Sequence, residues 1–483
     1  MRARLFAPEN KRWWTLAAVS VGLFMIMLDN TVVNVALPSI ERSLHMSISQ
    51  LEWIVTAYAL TFAAFMLTGG KLADLIGRRR IFVIGLVVFT ASSFVCGIAP
   101  SSSWLIAARA AQGIGAAMMN PATLSIITAT FAPRQRGLAI GIWAGVSAMA
   151  LAIGPLVGGL LTEHINWNWV FYINVPIGIV GIFASYLFIE ESKDTSHEQR
   201  LDLPGLLTSG IGLFALTYAL IEANNYGWTS ARILTAFAVG VVSLTAFVLL
   251  ELHQRLPMLE LDLFRNSTFS GANAAMLFVG LAMFGVFFYV SLFMQQVLGY
   301  SPVQAGATFL PMTLLVILIA PQAGRLSDRV GSRWLVGGGL TLVAGSLLWY
   351  SQLDAGSNFW DILPGLIMGG CGMASAMTPT TAAAMGSVPV DKAGVGSAVL
   401  NSMRQVGGSL GIAIMGAVVA HVAGLGRVGG RGFDPESFTH AFHDAVRLAA
   451  VFAFIGAVIA VATLRNVRHG DEVRRPAHAT EGV

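Results

Sequence analysis

Fourteen apolar segments, each of roughly 20 residues or more, follow one another along the chain and are separated by short polar stretches. A helix that crosses the hydrocarbon core of a bilayer needs about 20 apolar residues, and lipid cannot satisfy the backbone of irregular segments. The sequence therefore predicts an all-α polytopic membrane protein with 14 transmembrane helices. The predicted spans are 13–37, 51–75, 81–99, 104–127, 138–162, 167–190, 203–222, 230–251, 269–297, 303–324, 334–352, 360–386, 395–421 and 441–464.

The composition agrees with a membrane protein. Of 483 residues, 55% are hydrophobic and 11% are charged, against about 25% charged in an ordinary soluble domain. The chain is basic, but its basic residues lie in short loops, which indicates orientation in a membrane and no nucleic-acid partner. Cys96 and Cys371 lie in separate apolar segments, and we expect both to be small buried hydrophobic residues rather than metal ligands or a disulfide.

The basic residues also predict the orientation. With both termini on the same side, 22 of the 29 Lys and Arg residues lie in segments on that side, and four lie on the other. Cytoplasmic loops carry an excess of Lys and Arg. We therefore expect both termini in the cytoplasm and the chain in the inner (plasma) membrane. The first apolar segment, 13–37, is too long for a signal peptide and is predicted as a retained span.

An internal repeat divides the chain. Residues 70–79 (GKLADLIGRR) recur as residues 324–333 (GRLSDRVGSR), 254 residues later. Six spans with short loops need roughly 190–200 residues, so the offset leaves room for two additional helices. We predict an N-terminal six-helix bundle (1–202), a two-helix insert with a linker (203–268), a C-terminal six-helix bundle (269–464) and a cytoplasmic tail (465–483).

Asp29 stands out because it is an acid deep inside a predicted span. Such a residue is costly in lipid and normally faces the interior of the bundle. Removing a carboxylate from water favours its neutral form, so a carboxyl group at this depth can carry a proton. The alternative is a static charge that is satisfied by hydrogen bonds to Asn30 or Thr31.

Arg109 is the predicted partner of Asp29. Counted from the same end of their spans at 1.5 Å per residue, the two residues lie at depths of roughly 13 and 9 Å, which an arginine side chain can bridge. The alternative is that Arg109 extends to the membrane interface. Gln112 lies one turn further in and is expected at the same cavity.

Several motifs together resemble the major facilitator superfamily, and within it the fourteen-span drug:proton antiporters. The repeated Gly-x-Leu-[Ala/Ser]-Asp-x-x-Gly-x-Arg is similar to the signature loop of the superfamily. Residues 28–38 (LDNTVVNVALP) resemble the first-helix motif, 109–115 (RAAQGIG) the fourth-helix motif, and Gly141 with 154–159 (GPLVGG) the fifth-helix antiporter motif. Residues 167–176 (WNWVFYINVP) match a further fourteen-span feature. Ala150 departs from the antiporter motif, which usually has glycine there.

The resemblance implies roles for these residues. It implies a gating loop made by Gly70, Asp74, Gly77, Arg78 and the second copy Asp328. Asp74 would dock near the start of the span at Val395 when the cytoplasmic side is closed, although the loop charges also serve topology. It implies that Gly154, Pro155, Gly158 and Gly159 form a tight seal between the halves that favours exchange over symport, whereas ordinary helix packing is the alternative.

Polar residues inside the spans are the candidates for the transport cavity, namely Asn30, Asn34, Gln112 and Arg404. For Arg404 a structural role is as compatible with the sequence as a coupling role. The resulting hypothesis is a monomeric proton-coupled antiporter that exports drugs or other amphipathic small molecules by alternating access. It needs no cofactor or metal, and the chain is not predicted to be an enzyme. A proton symporter or uniporter that imports a nutrient and a non-transporting membrane sensor remain the alternatives.

Overall fold

The computed structural model describes residues 8–193, 201–254, 257–389, 392–423 and 434–465, and the chain forms fourteen long helices there. This confirms the predicted helix number and type. Three helices are interrupted: α6 after its first turn, α9 by a π-helical turn, and α10 near its start. The helices are α1 (Pro8–Leu44), α2 (Ile48–Ile76), α3 (Arg78–Gly97), α4 (Ser102–Thr130), α5 (Pro133–His164), α6 (Trp169–Tyr172 and Asn174–Phe188), α7 (Leu203–Tyr226), α8 (Ala231–His253), α9 (Ser267–Gly285, Val286–Val290 and Ser291–Gln296), α10 (Pro302–Thr308 and Leu310–Val330), α11 (Ser332–Tyr350), α12 (Phe359–Gly386), α13 (Ala393–Val422) and α14 (Pro435–Thr463).

The chain is a multi-pass membrane protein. In the part of the chain that the structure describes, twelve of the helices are long and apolar enough to cross a membrane. The other two are α4 and α11, and α4 carries the charged and polar side chains Arg109, Gln112 and Asn120. Large apolar side chains such as Phe183, Val180 and Val242 are more than 60% exposed, as expected of a surface that faces lipid.

The helices form a bundle with two ends. We call the end where α1 begins the N-terminal face, and the opposite end the distal face. Two contacts near helix ends show which ends of α1, α3 and α6 lie on the same face. At the N-terminal face, Lys11 Nζ donates to Glu190 Oε1 at 2.5 Å, and this bond holds the pKa of the Glu190 carboxyl below its usual range. At the distal face, Asn168 Nδ2 donates to the carbonyl of Gly97 at 2.7 Å.

Helices α1–α6 form one half of the molecule and α9–α14 form the other. The most extensive contacts between the halves are those of α2 with α13 and of α5 with α10, and α1 also contacts α9. In the sequence, α7 and α8 lie between the two halves. They are the two inserted helices that the repeat offset predicts. Helix α7 packs against both α2 and α13 and therefore covers the line where the halves meet. Trp53 Nε1 donates to Glu222 Oε1 at 3.1 Å, and Asn224 Nδ2 donates to the Ala417 carbonyl at 2.8 Å.

Local sequence explains where several helices begin. Ser47 and Gln50 form a capping box at the start of α2, and Ser301 and Gln304 form another at the start of α10. Such boxes satisfy backbone N–H groups that a helix leaves unpaired. Gly77 separates α2 from α3 with a φ of 133°, a conformation that glycine adopts without strain. The predicted tail after Arg465 and most of the Gly-rich loop 422–440 lie outside the described residues.

Candidate functional site

Asp29 and Arg109 form an ion pair inside the first half of the molecule. Arg109 Nη1 lies 2.5 Å from Asp29 Oδ2, and the two side chains are 1% and 0% exposed. Arg109 Nε also donates to the carbonyl of Ile54 on α2 at 3.0 Å. The pair thus connects α1, α2 and α4. Arg109 does not extend to the interface, which was the alternative for this residue.

Gln112 closes the pair into a ring. Its Oε1 accepts from Arg109 Nη1 at 2.6 Å, and its Nε2 donates to Asp29 Oδ1 at 3.0 Å. The ring continues to α3 and α6, because Gln112 Nε2 lies 3.2 Å from Ser93 Oγ and Asn174 Nδ2 donates to the same oxygen at 3.0 Å. Five helices therefore contribute to one buried polar network.

Aromatic rings cover the guanidinium group of Arg109. Its Cζ lies 4.3 Å from the ring centroid of Tyr58 and 5.8 Å from that of Phe171. Cations are attracted to aromatic faces, most strongly where water is excluded. Tyr58 is 1% exposed, and its hydroxyl oxygen has no hydrogen-bond partner among the described residues. The network thus ends on one side at an unpaired hydroxyl group.

The balance of charge in this network depends on whether Asp29 carries a proton. With Asp29 ionised, the charges of Asp29 and Arg109 cancel, and each carboxylate oxygen accepts a hydrogen bond. A proton on Asp29 would remove the counter-ion of Arg109 and leave its guanidinium charge buried. Uncompensated buried charge is strongly unfavourable. Protonation would therefore favour a rearrangement around α1 and α4, which is the property that a coupling site requires.

Asn30 and Thr31 do not satisfy Asp29, which was the static alternative. Asn30 Nδ2 donates to the Ile26 carbonyl at 2.8 Å, and Thr31 Oγ1 donates to the Leu28 carbonyl at 3.3 Å. Asn34 likewise donates to the backbone of α1. The side-chain oxygens of Asn30 and Asn34 are buried without a partner in the described structure. Both amides therefore keep an acceptor free for water or a ligand.

Arg404 lies in the middle of α13, as predicted. Its Nε–H is buried and finds no acceptor among the described residues, and both side-chain polar atoms of its neighbour Gln405 are likewise buried without a hydrogen-bond partner there. The backbone carbonyl of Arg404 packs against Gly280 of α9, where a Cβ atom would overlap it. The backbone at this position is thus held firmly, while the guanidinium group keeps unused hydrogen-bonding capacity.

The glycines of the fifth-helix motif contact both halves. A Cβ atom at Gly154 would overlap Thr31, and one at Gly158 would overlap the carbonyl of Val32, so both glycines bring α5 against α1. Gly159 lies against the carbonyl of Pro302 on α10. The carbonyl of Pro155 in turn lies against Gly306 of α10. This end of α5 is therefore closely packed against both α1 and α10.

The predicted gating loop forms the turn between α2 and α3. Asp74 accepts a hydrogen bond from Arg78 Nε at 3.0 Å, and both side chains are partly exposed. Gly77 lies against the carboxylate of Glu191, so its lack of a Cβ is required there.

The closest helix approach beside this loop is not made by Gly70, whose gating role stays a prediction. Gly70 makes only ordinary van der Waals contact with Pro121, whereas the close helix approach occurs at Gly69, against the Ala117 carbonyl. The repeat places Gly70 in the signature motif, but the neighbouring helix α4 comes closest to α2 at Gly69. The side chain of Asp328, the second copy of Asp74, lies outside the described residues.

Two further acids are buried, although neither lies deep inside a span. Glu52 near the start of α2 is 2% exposed, and Glu251 near the end of α8 is 3% exposed. Their positions close to helix ends suggest the interface, but other helices cover them. The usable signal at Glu52 is its context, because Leu51, Trp53 and Ile54 flank it with apolar side chains.

The distal face contains three hydrogen bonds from the second half to acids of the first half, and we call these three pairs the distal seam. Tyr289 Oη donates to Glu52 Oε1 at 2.9 Å, and the backbone N–H of Val303 donates to Glu163 Oε2 at 2.9 Å. Gln296 Nε2 donates to Glu41 Oε2. Each donor is electrically neutral.

Comparison with known proteins places this fold and these motifs in a family. The profile described as Major Facilitator Superfamily matches residues 19–412. The multidrug resistance protein Stp of Mycobacterium tuberculosis is 37% identical over 407 residues, which cover 84% of this chain and 75% of Stp. The puromycin resistance protein pur8 of Streptomyces alboniger is 35% identical, with 94% of this chain and 91% of pur8 covered. The tetracenomycin C resistance and export protein of Streptomyces glaucescens is 34% identical, with 86% and 77% covered.

Solved structures share the fold at low sequence identity. A bacterial homologue of the human lysosomal transporter Spinster, crystallised inward-facing and unoccupied, superposes with a TM-score of 0.64 at 20% identity, covering 94% of this chain and 96% of that one. The transporter PepTSo superposes with a TM-score of 0.68 at 15% identity, covering 94% and 97%.

Proposed function

We propose that this chain, which belongs to the major facilitator superfamily and is a membrane transporter, exports drug-like amphipathic small molecules in exchange for protons. One observation carries the proposal of proton exchange, namely the fully buried Asp29–Arg109 pair that Gln112 closes into a ring. Three relatives that are 34–37% identical are named for drug resistance or export, which supports the substrate class.

We propose that the N-terminal face is cytoplasmic and that the chain lies in the inner membrane. The bias of basic residues, 22 on that side against four on the other, supports this orientation. The divisions at 1–202, 203–268, 269–464 and 465–483 are proposed as the two rocking halves, the insert with its linker, and the tail. We propose that a single copy of the chain contains the whole transport pathway.

The structure is proposed to be an inward-open state of the cycle. At the distal face, Gly159 touches Pro302 and the distal seam joins the halves. Towards the N-terminal face of the same helix, ideal Cβ atoms at Gly141 and Gly145 would meet nothing within 4 Å among the described residues. Helix α5 is thus tightly packed at one end and open at the other, as expected of a cavity that opens to the cytoplasm.

In the proposed cycle, the substrate enters this cavity from the cytoplasm or the inner leaflet. Asn30, Asn34 and Arg404 offer unpaired polar atoms towards a ligand, whereas Gln112 is occupied in the ring and therefore acts with Asp29 in coupling. After release outside, an external proton neutralises Asp29. Arg109 then loses its counter-ion, and the return to the inward-open state ends with the proton leaving to the cytoplasm.

We propose that the loop of Asp74 and Arg78 closes the cytoplasmic side in the opposite state. In the present state Asp74 bonds to Arg78 of its own loop. When the cytoplasmic side closes, Asp74 would dock at the start of α13 near Val395, where the helix dipole favours an acid. Asp328 is proposed to act similarly in the second half.

Proton release from everted vesicles tests the function. The vesicles are acidified inside by respiration, and a pH-sensitive dye reports protons leaving when ethidium, a lipophilic cation, is added. We expect release with the wild type and loss of both release and ethidium transport with Asp29→Asn. Asp262→Asn is the matched control, because Asp262 is 85% exposed and its one ion pair among the described residues is with the nearby Arg265.

The same assay separates the alternatives. Proton movement in the direction of the substrate would indicate a symporter, and a chain that moves neither ethidium nor protons nor any antibiotic of a susceptibility panel would indicate a sensor. Full gradient-driven export by a folded Asp29→Asn variant would refute the role of the carboxyl group.

A further inference from the structure

Glu52 lies where three helices of both halves meet. Its Oε1 accepts a hydrogen bond from the Tyr289 hydroxyl at 2.9 Å, and Tyr289 Oη also lies 3.3 Å from the Ile412 carbonyl. Glu52 belongs to α2, Tyr289 to the π-helical turn of α9 and Ile412 to α13. Glu52 is 2% exposed and Tyr289 is 0% exposed. A carboxyl group of the first half is therefore enclosed by the second half.

The enclosing surface fits the carboxyl group closely. A Cβ atom at Gly416 of α13 would overlap the Glu52 carboxyl and would also meet the Tyr289 hydroxyl. A side chain of any size at position 416 would displace this contact. The close fit means that Glu52 is buried only while α2 lies against α9 and α13, and that separation of the halves at the distal face uncovers it.

The surroundings of Glu52 hold no compensating positive charge. Within the described ranges, its carboxylate has no Lys, Arg or His partner within 4 Å. The titratable groups that face it are Tyr289 from α9 and the acid Glu222 from α7, while α13 presents the backbone at Gly416. A buried carboxylate with one neutral donor and a neighbouring acid is much less favourable than the protonated acid.

We propose that Glu52 is a second proton-binding site, which locks the external side of the transporter. A proton from external water binds a Glu52 carboxylate oxygen as the halves close, and Tyr289 donates to the acid or to Ile412. When the halves separate, water reaches the carboxyl, which returns the proton to the same side. The site moves no net proton across the membrane. The identification of the distal face as the external side rests on the orientation given in the proposed function.

The other two pairs of the distal seam share this arrangement of an acid with a neutral donor, but their acids are less buried than Glu52. Glu41 and Glu163 also belong to the first half and also bond to neutral donors of the second half. Among the residues that the structure describes, no ion pair within 4 Å joins the two halves. The contacts of the distal seam are thus made by acids with neutral donors, and Glu52 is the most deeply buried of the three acids.

The distance across the distal face tests the lock independently of transport. Spin labels are placed on the exposed positions Ser43 and Ala355 by cysteine substitution, with both native cysteines replaced by alanine. Pulsed EPR in nanodiscs without substrate then measures the distance from acid to alkaline pH. A lock that binds one proton changes the ratio of closed to open molecules by up to about tenfold per pH unit.

We expect the wild type to open as the pH rises, and Glu52→Gln to stay closed with loss of this slope, because glutamine imitates the protonated acid. Glu52→Asp keeps a titratable group and should retain a pH response with a shifted midpoint. Glu163→Gln is the matched control, since Glu163 lies in the same seam but is exposed, and its variant should titrate like the wild type.

Two results would overturn the lock: a wild-type distance that does not depend on pH, or a Glu52→Gln distance that depends on pH as the wild type does. The assay also separates this inference from the proposed antiport. If vesicles release no protons on ethidium addition but the distance still titrates through Glu52, the lock stands and the antiport fails. If the vesicles release protons normally and the distance does not depend on pH, the antiport stands and the lock fails.

Discussion

Gly159 on α5 and Pro302 on α10 touch backbone to backbone, so that a Cβ atom at position 159 would overlap the Pro302 carbonyl. Gly159→Leu should therefore prevent closure of the distal face. Overpacking costs about 1–3 kcal/mol, which corresponds to roughly a 5- to 150-fold shift of a conformational equilibrium. We expect ethidium export to fall by a factor in this range.

The matched control is a glycine in open space outside the proposed pathway. An ideal Cβ at Gly338 of α11 would meet nothing within 4 Å among the described residues, and the position is exposed, so Gly338→Leu should export at nearly the wild-type rate. Equal losses in both variants would show that the loss does not come from the contact with Pro302, and the sealing role of Gly159 would then be wrong.

Breaking the buried pair one partner at a time distinguishes structure from coupling. Arg109→Gln leaves the Asp29 carboxylate buried without its counter-ion, which costs about 3–5 kcal/mol in comparable pairs. The double variant with Asp29→Asn replaces both charges by amides and should recover most of that stability. Thermal unfolding of the purified protein in detergent measures both effects.

Recovery of stability should not bring recovery of function. We expect the double variant to release no protons from energised vesicles, because it has no carboxyl group at the site. If Arg109→Gln alone unfolded at the wild-type temperature, the ion pair would contribute nothing to the fold. If the double variant exchanged protons normally, another site would perform the coupling.

The sequence predicts the Asp29–Arg109 pair because its evidence is local. Each residue lies in an apolar segment, and counting residues from the helix ends is enough to match their depths. The fourteen helices follow for the same reason, since the length and hydropathy of each segment can be judged alone. Gln112 was expected at the same cavity, but its closure of the ring depends on side-chain directions that residue counting does not give.

Glu52 could not be predicted in this way. It is separated from Tyr289 by 237 residues in the chain, and its burial depends on how the two halves pack. A short distance to the helix end suggests exposure, and only the position of α9 and α13 reverses that conclusion. The contact of Lys71 Nζ with the Pro257 carbonyl, 2.6 Å between the gating loop region and the linker, is another long-range contact of this kind.

Substitution of Gly77 should destabilise the protein for two reasons, which substitution of a second glycine distinguishes. Its φ of 133° is strained for alanine, and a Cβ atom would overlap the Glu191 carboxylate, which accepts hydrogen bonds from the backbone of Arg79 and Arg80. Residues held in sparsely populated backbone conformations cost about 1–3 kcal/mol. We expect Gly77→Ala to lower the unfolding temperature measurably.

Gly227→Ala provides the comparison for Gly77→Ala. Gly227 has a φ of 89° in open space, so alanine there adds backbone strain without an overlap. Its unfolding temperature should fall less than that of Gly77→Ala. A larger fall would mean that the contact with Glu191 does not stabilise the turn.

A ligand-facing role and a structural role of Arg404 predict opposite effects of its substitution on the unfolding temperature. The residue is partly exposed, but its Nε is buried without a partner in the described structure, and partial burial of a cation without a counter-ion is unfavourable. Arg404→Gln should therefore leave the unfolding temperature unchanged or raise it. Arg447→Gln is the control, because Arg447 is 56% exposed and pairs with Asp444 in the same helix.

Transport by the same variant shows what the charge of Arg404 does. Without this cation in the cavity, export of substrates that carry a carboxylate should fall relative to ethidium, and a loss of about 1–3 kcal/mol of attraction corresponds to roughly 5- to 150-fold. The export rate of a carboxylate-bearing substrate is divided by that of ethidium, and this ratio is measured for Arg404→Gln and Arg447→Gln in the same host. An unchanged ratio together with a lowered unfolding temperature would assign Arg404 to the structure of α13, because then its charge stabilises the fold and does not contact the substrate.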